Sequence, residues 1–362
     1  MRVGIVGAYG AVGEVLAGDL LARTDLDLLV GGRDARRAGA LADRLGPRAR
    51  GRSVDVFDES SLRSFAAACD VVVNCAGPSH FVRDRAVRPV IAEGRHFVDV
   101  GGAELTFPEL TRTWDEPERA GLAAIVDAGW IPGLSGVFAH HVARRARERL
   151  GELESVELWY GDRTAWSVTG FVDIVELVRM RPGVGTYEGG RFVPARPGPG
   201  RTLRRVRLPE PFGSATGSLS FASELTALAE ASPSTRFATW AVPLLAPLTG
   251  LAMAAALTPL GAARPVDGAR LVAAAAARDP RASDGGFLAV AARGAGGGRS
   301  TGFLATRESV RLTGLVGATA VRMLADGRLS ARGCRYLCDA VDPAVFMAEL
   351  AAVEPGWRLE SP

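Results

Sequence analysis

The segment Val3-Gly4-Ile5-Val6-Gly7-Ala8-Tyr9-Gly10-Ala11-Val12-Gly13 carries residue types and spacing that could do chemistry. From Gly7 its glycines follow G-x-x-G-x-x-G, between a strand pattern and a helix pattern. Glycine permits a tight turn and lets main chain approach a diphosphate, while free N–H groups opening the helix hold the anion. Gly7, Ala8, Tyr9, Gly10, Ala11, Val12 and Gly13 are therefore candidate nucleotide-binding residues. The alternative is a tight turn that holds no ligand. A site for NAD(H) usually places an acid at the end of the second strand, against the ribose hydroxyls. Here that strand ends Leu29-Val30-Gly31-Gly32-Arg33-Asp34, followed by Arg36 and Arg37. Arg33 stands where a guanidinium can grip a 2′-phosphate, which favours NADP(H) over NAD(H). Two alternatives stay open. The arginines could simply solvate a helix start, and Asp34, though first of all an N-cap, could serve NAD(H).

All 43 basic residues of the 362-residue chain are arginine. That excludes a Schiff-base lysine, a P-loop lysine and a Tyr-x-x-x-Lys pair. A net charge of +3 is too weak to argue for nucleic acid. Cys69, Cys75, Cys334 and Cys338 form no C-x-x-C pair, and no histidine sits at zinc-site spacing. His140 and His141 are adjacent, so on a helix they point apart. The expectation is buried thiols, no metal, and a reducing cytoplasm. Met1-Arg2 runs straight into a strand pattern, so no signal peptide is expected. Phe237–Ala263 spans 27 residues without a charge. Pro243, Pro247, Gly250 and Pro259 interrupt it, so it reads as a buried helix at a domain or subunit interface. A bilayer span and contact with a membrane surface are the alternatives.

Residues 1–130 alternate apolar runs with amphipathic stretches, the signature of a parallel sheet with crossover helices. Strands are expected at Arg2–Val6, Asp27–Val30, Ser53–Val56, Val71–Cys75, His96–Val100 and Ala123–Asp127. They fit a doubly wound Rossmann domain. After a helix over Pro132–Leu150 the rhythm changes, with a strand at Glu154–Tyr160 and hairpins at Thr186–Pro194 and Phe287–Ala305. The expected organisation is α/β: a Rossmann domain over 1–130, an α+β domain with a mixed sheet over 131–325, and a segment 326–362 packing back on the first domain.

Three further motifs appear in order: Asn74-Cys75-Ala76-Gly77-Pro78, Phe97-Val98-Asp99-Val100-Gly101-Gly102, and Asp127-Ala128-Gly129-Trp130-Ile131-Pro132-Gly133. The series resembles the NADP-binding domain of saccharopine dehydrogenase-like oxidoreductases, over roughly the first 150 residues. The resemblance implies hydride transfer with a nicotinamide cofactor, held by the Gly7–Gly13 loop, Arg33, Asn74, Ala76, Gly77 and Pro78. Asp55, after the third strand, is a candidate adenine contact or a plain turn residue.

Hydride transfer leaves the protein one proton to supply or remove. Without lysine the donor must be His, Asp, Glu, Tyr, Cys or water. His80 follows the Gly77-Pro78 loop and is the first candidate, with Asp127 and Tyr160 behind it. Asp99, Trp130 and Trp166 are candidate substrate contacts, Asp99 being equally suited to fix its own turn. The expected function is an NADP(H)-dependent oxidoreductase reducing a C=N or C=C bond of a small metabolite, in specialised or amino-acid metabolism, as a homodimer. The alternatives are a net non-redox enzyme with a bound nicotinamide, or a non-catalytic NADP-binding scaffold at a membrane.

Overall fold

The computed structural model describes residues 1–102, 106–180, 184–196, 198, 200–220, 223–354 and 358–360. The chain forms two compact units, Met1–Leu134 with Val310–Glu354, and Ser135–Ser309 with the C-terminal residues.

The first unit is built on β1 (Arg2–Val6), α1 (Ala11–Arg23), β2 (Asp27–Gly32), α2 (Ala35–Leu45), β3 (Ala49–Ser53), β4 (Val71–Asn74), β5 (His96–Asp99) and β6 (Ala123–Val126). Every pairing among these strands is parallel, in the order β6-β5-β4-β1-β2-β3. Strands covered on both faces should read as unbroken apolar runs. Val71–Val73 and Ala123–Val126 do, with no exposed surface. The order reverses between β1 and β4, so their C-terminal ends flank the crevice where such sheets bind ligands.

Three sequence expectations shift. The third strand is Ala49–Ser53, not Ser53–Val56. It is the sheet's edge, and its Ala-Arg-Gly-Arg-Ser sequence suits an edge facing water. Val54 and Val56 are buried in the connection that follows. A seventh strand, Gly333–Tyr336, pairs parallel to β6. Finally, all but the first residue of the helix Ser309–Ala325, placed in the second domain by sequence, belongs to the first unit. Its glycines let it seat on α1: a Cβ on Gly314 would lie 2.8 Å from Val15, and one on Gly317 2.9 Å from Leu16. The same helix sends Arg322 to Asp19 of α1 as a buried ion pair.

The second unit holds a nine-stranded mixed sheet. Leu153–Asp162 pairs parallel to Arg236–Ala241 and antiparallel to Gly286–Gly294. The expected hairpins appear as Gly185–Glu188 with Arg191–Pro194 and as Gly286–Gly294 with Arg299–Thr306. One face packs on the helix Leu134–Leu150, where a Cβ at Gly302 would lie 2.6 Å from Val142. On the other face Trp159 and Trp240 stack at 4.9 Å.

The charge-free segment Phe237–Ala263 is not one buried helix. It contributes most of the strand Arg236–Ala241, then the helices Pro247–Ala256 and Pro259–Ala263. A proline in the first turn of each helix is compatible with helix only at that end, which divides the segment. No helix of the described residues is long and apolar enough to cross a membrane. The four cysteines are unbridged, and burial pushes the Cys69 thiol up to about 11 and Cys334 up to about 12.

Candidate functional site

The glycine-rich turn closes the C-terminal end of β1. Gly7 has φ +79°, a conformation that favours glycine. The Gly7 and Ala8 N–H groups both donate to Gly31 O, at 2.9 and 3.0 Å. A Cβ on Gly7 would lie 2.7 Å from the Ala76 nitrogen, so the turn and the loop after β4 touch main chain to main chain. A Cβ on Gly13 would lie 2.6 Å from Gly7 O, so α1 also starts hard against the turn. Gly10 is the N-cap and offers no side chain to the helix. The N–H groups of Ala11, Val12 and Gly13 have no intrahelical acceptor by the geometry of a helix start, and no other partner among the described residues. Three donors and the positive end of the helix thus meet at an uncapped N-terminus, an arrangement that fits a diphosphate.

The end of β2 lies beside this turn. The Asp34 N–H donates to the Tyr9 hydroxyl at 3.1 Å, and the Tyr9 ring crosses Gly32, where a Cβ would lie 2.5 Å away. The Asp34 carboxylate accepts from the Arg36 and Arg37 N–H groups at 2.9 and 3.2 Å. Those bonds, Arg37 first, hold its carboxyl below the usual carboxylate range. Asp34 is therefore the N-cap of α2. The Arg37 guanidinium lies 4.2 Å from the centre of the Tyr9 ring. Arg33 and Arg36 are exposed, and among the described residues neither guanidinium has a hydrogen bond or ion pair. Asp55 accepts from the Phe57 N–H at 3.0 Å, so its carboxylate braces a turn of its own.

Between β4 and β5 a polar brace fixes the second loop. Asn74 is 2% exposed. Its amide donates to Ala76 O at 3.2 Å and to Asp99 Oδ2 at 3.0 Å, and its oxygen accepts from the Ala76 N–H at 3.2 Å. Asp99 Oδ1 accepts from the Gly101 N–H at 2.8 Å. Asp99, expected also as a substrate contact, is 2% exposed and uses both oxygens inside the protein. Its place is in the brace, because a buried carboxylate must be hydrogen-bonded. Trp130, expected to wall a substrate pocket, is 3% exposed and belongs to the core. Asp127 is 1% exposed and holds φ +55°, a sparsely populated backbone region for a residue with a side chain.

Gly77 and Pro78 lead into the short helix Ser79–Val82, which carries a half-buried His80. Its carbonyl accepts from Arg83 Nε at 3.0 Å, and its ring centre lies 5.6 Å from that of Phe81. Tyr160 and Trp166 belong to the second unit. The Tyr160 hydroxyl donates to Ser220 Oγ at 3.1 Å, and the Trp166 ring tilts against Phe171 at 6.2 Å. The structure thus gathers the glycine turn, Arg33 and the Asn74–Pro78 loop at one end of one sheet. Sequence reasoning missed the Tyr9–Arg37 stack and the Asn74–Asp99 brace, whose partners lie 28 and 25 positions apart with no spacing rule to link them.

The saccharopine dehydrogenase NADP-binding domain model matches residues 3–125. The likeness is to that domain and covers about a third of the chain. Carboxyaminopropylagmatine dehydrogenase of a Synechocystis species is 28% identical over 183 residues, 47% of this chain. That stretch spans 44% of the relative's own length. The fold is similar to saccharopine dehydrogenase (L-Glu forming) of Saccharomyces cerevisiae, with TM-score 0.67, 16% identity, and coverage of 99% of this chain and 100% of that one. A probable dehydrogenase of Thermotoga maritima aligns with TM-score 0.50 and 12% identity, over 97% and 93% of the two chains. Within the NADP-binding domain the matched residues contain the glycine turn, Arg33 and the Asn74–Asp99 brace.

Proposed function

We propose that this protein is an NADP(H)-dependent oxidoreductase that transfers hydride to a C=N bond, or to a C=C bond, of a small metabolite. One observation carries the reading. An uncapped helix N-terminus at Gly10 stands beside Arg33, whose guanidinium has no partner among the described residues, while Asp34 is committed to its helix. The first feature suits a diphosphate, and the second suits a 2′-phosphate better than a 2′-hydroxyl. The matched domain model and the dehydrogenase relative support the same chemistry. A dehydrogenase acting at an amine-bearing carbon exchanges a C–H and an N–H for a C=N, which makes an imine the first acceptor to test.

When bound, NADP(H) supplies or accepts the hydride. The chain's part is placement and the proton. The N–H groups of Ala11, Val12 and Gly13 anchor the diphosphate. Arg33 binds the 2′-phosphate, with Arg36 next to it and Arg37 held over Tyr9. The Asn74–Asp99 brace keeps the Ala76–Pro78 loop in one conformation at the crevice. His80, on the helix directly after that loop, exchanges the proton that accompanies the hydride.

Two measurements test this assignment. Calorimetric titration should show NADPH binding more tightly than NADH. Arg33→Ala should weaken NADPH by about 10- to 100-fold, the loss of one strong charge-assisted contact of roughly 1.5–3 kcal/mol. NADH affinity should change less than about twofold, since its ribose offers no charge to lose. Equal loss for both would remove Arg33 from the 2′-phosphate. His80→Ala should lower the rate of imine reduction by about 100-fold with NADPH affinity unchanged. An unchanged rate would retire His80 as the proton donor.

A further inference from the structure

The helices of the second unit keep an apolar face that none of the described residues covers. Pro247–Ala256 buries Thr249, Ala252, Met253 and Ala256, which is one face at helical spacing. Leu248 and Leu251, on the outward side, are exposed, Leu251 by 70%. In the next short helix, Pro259–Ala263, Leu260 is 77% exposed. The helix Pro265–Ala276 packs against Pro247–Ala256 on one side and Val168–Met180 on the other. It presents Leu271 outward, and Val168–Met180 presents Leu177. A helix apolar on both sides is unusual for one that faces water.

The charge around this face is net positive, with four arginines and two aspartates over residues 245–281. Between Glu230 and Asp267 the sequence contains no carboxylate. Asp267 is paired with Arg270 at 3.0 Å. Asp279 accepts from the Arg281 N–H. Arg264, Arg278 and Arg281 are exposed, and among the described residues none of them has a carboxylate partner. We propose that the helical segment 245–281 is a docking surface for an anionic lipid bilayer, with Leu248, Leu251 and Leu260 entering the headgroup boundary and Arg264, Arg278 and Arg281 meeting acidic headgroups. Helices of this kind lie in the interface plane, and their binding grows with apolar area and with attraction to anionic lipid. Prolines at the start of each helix keep them too short to span, which suits lying on the surface. A second copy of the chain fits less well. Across a two-fold axis the patch would meet its own copy and bring together two surfaces with the same excess of positive charge.

The test is flotation of the full chain with vesicles of equimolar phosphatidylglycerol and phosphatidylcholine, against vesicles of phosphatidylcholine alone. Binding is expected to the anionic vesicles, at least about tenfold stronger than to the neutral ones, and to weaken as salt rises. Leu251→Asn with Leu260→Asn should lower it by about tenfold or more, since both side chains lose their insertion into the bilayer. Arg264→Glu should lower binding to anionic vesicles only. Both leucines are exposed, so circular dichroism and NADPH affinity should match the unsubstituted protein. No flotation with anionic vesicles overturns the proposal. So does flotation that the double substitution leaves intact. A concentration-dependent dimer that the double substitution dissociates, without vesicle binding, overturns it in favour of a second copy.

Discussion

Gly10→Asp should lower NADPH affinity by about 1000-fold or more while the protein stays folded. Gly10 sits at the N-cap with φ −83° and ψ 162°, an extended conformation open to any residue. Its added Cβ would lie 3.2 Å from Gly7 O, a contact that a shift of a few tenths of an ångström relieves. Aspartate is a good N-cap, so helix α1 should be as stable as before or more so. Its carboxylate, however, would take the N–H groups that we propose for the diphosphate and set like charges together. At about 4 Å and an effective dielectric near 20, one such repulsion is about 4 kcal/mol, or about 1000-fold. Thermal unfolding of the variant should occur at or above the original temperature, while calorimetry detects no NADPH binding. A variant that unfolds, or one that still binds, would each contradict the loop's assigned role.

The largest expected loss of stability comes from a residue far from the site in sequence. Arg322 and Asp19 are 7% and 6% exposed at their side chains and pair across the contact between α1 and the helix Ser309–Ala325. Arg322 also donates to Thr319 Oγ1 at 2.8 Å, and Asp19 accepts from Arg23 at 2.9 Å. Removing one member of a buried pair leaves a desolvated charge, which typically costs 3–5 kcal/mol. Arg23 retains some hold on Asp19, so Arg322→Ala should destabilise the first unit by about 3 kcal/mol. Chemical denaturation should show a lower midpoint. The double variant Asp19→Leu with Arg322→Met should recover most of that loss, because an apolar pair leaves no buried charge. Failure to recover would mean that packing by the arginine, rather than its charge, holds the helix on α1.

Much of the first unit was legible because its sheet is buried on both faces. β1, β4, β5 and β6 fall where hydrophobic rhythm places them, with no more than a residue's difference at the end. Rhythm fails where burial is one-sided or the strand is brief. β3 is mostly arginine and small residues, so the valines after it drew the expectation forward. Gly333–Tyr336 is four residues long and follows an arginine-rich connection. Arg236–Ala241 opens a charge-free stretch whose length suggested a helix. At the site, the places of the glycine turn and of Arg33 at the ends of β1 and β2 could be read directly, since they follow from local spacing. Asp99 and Trp130 could not, because motif position does not reveal burial. Only the fold shows that one braces Asn74 and the other lies in the core.

The measurement that bears most directly on this account is a crystal structure of the protein with NADPH. The diphosphate should lie within hydrogen-bond reach of the Ala11, Val12 and Gly13 N–H groups, with the 2′-phosphate against Arg33. A coenzyme bound anywhere else, or Arg33 turned away from a 2′-phosphate that Asp34 faces instead, would contradict it.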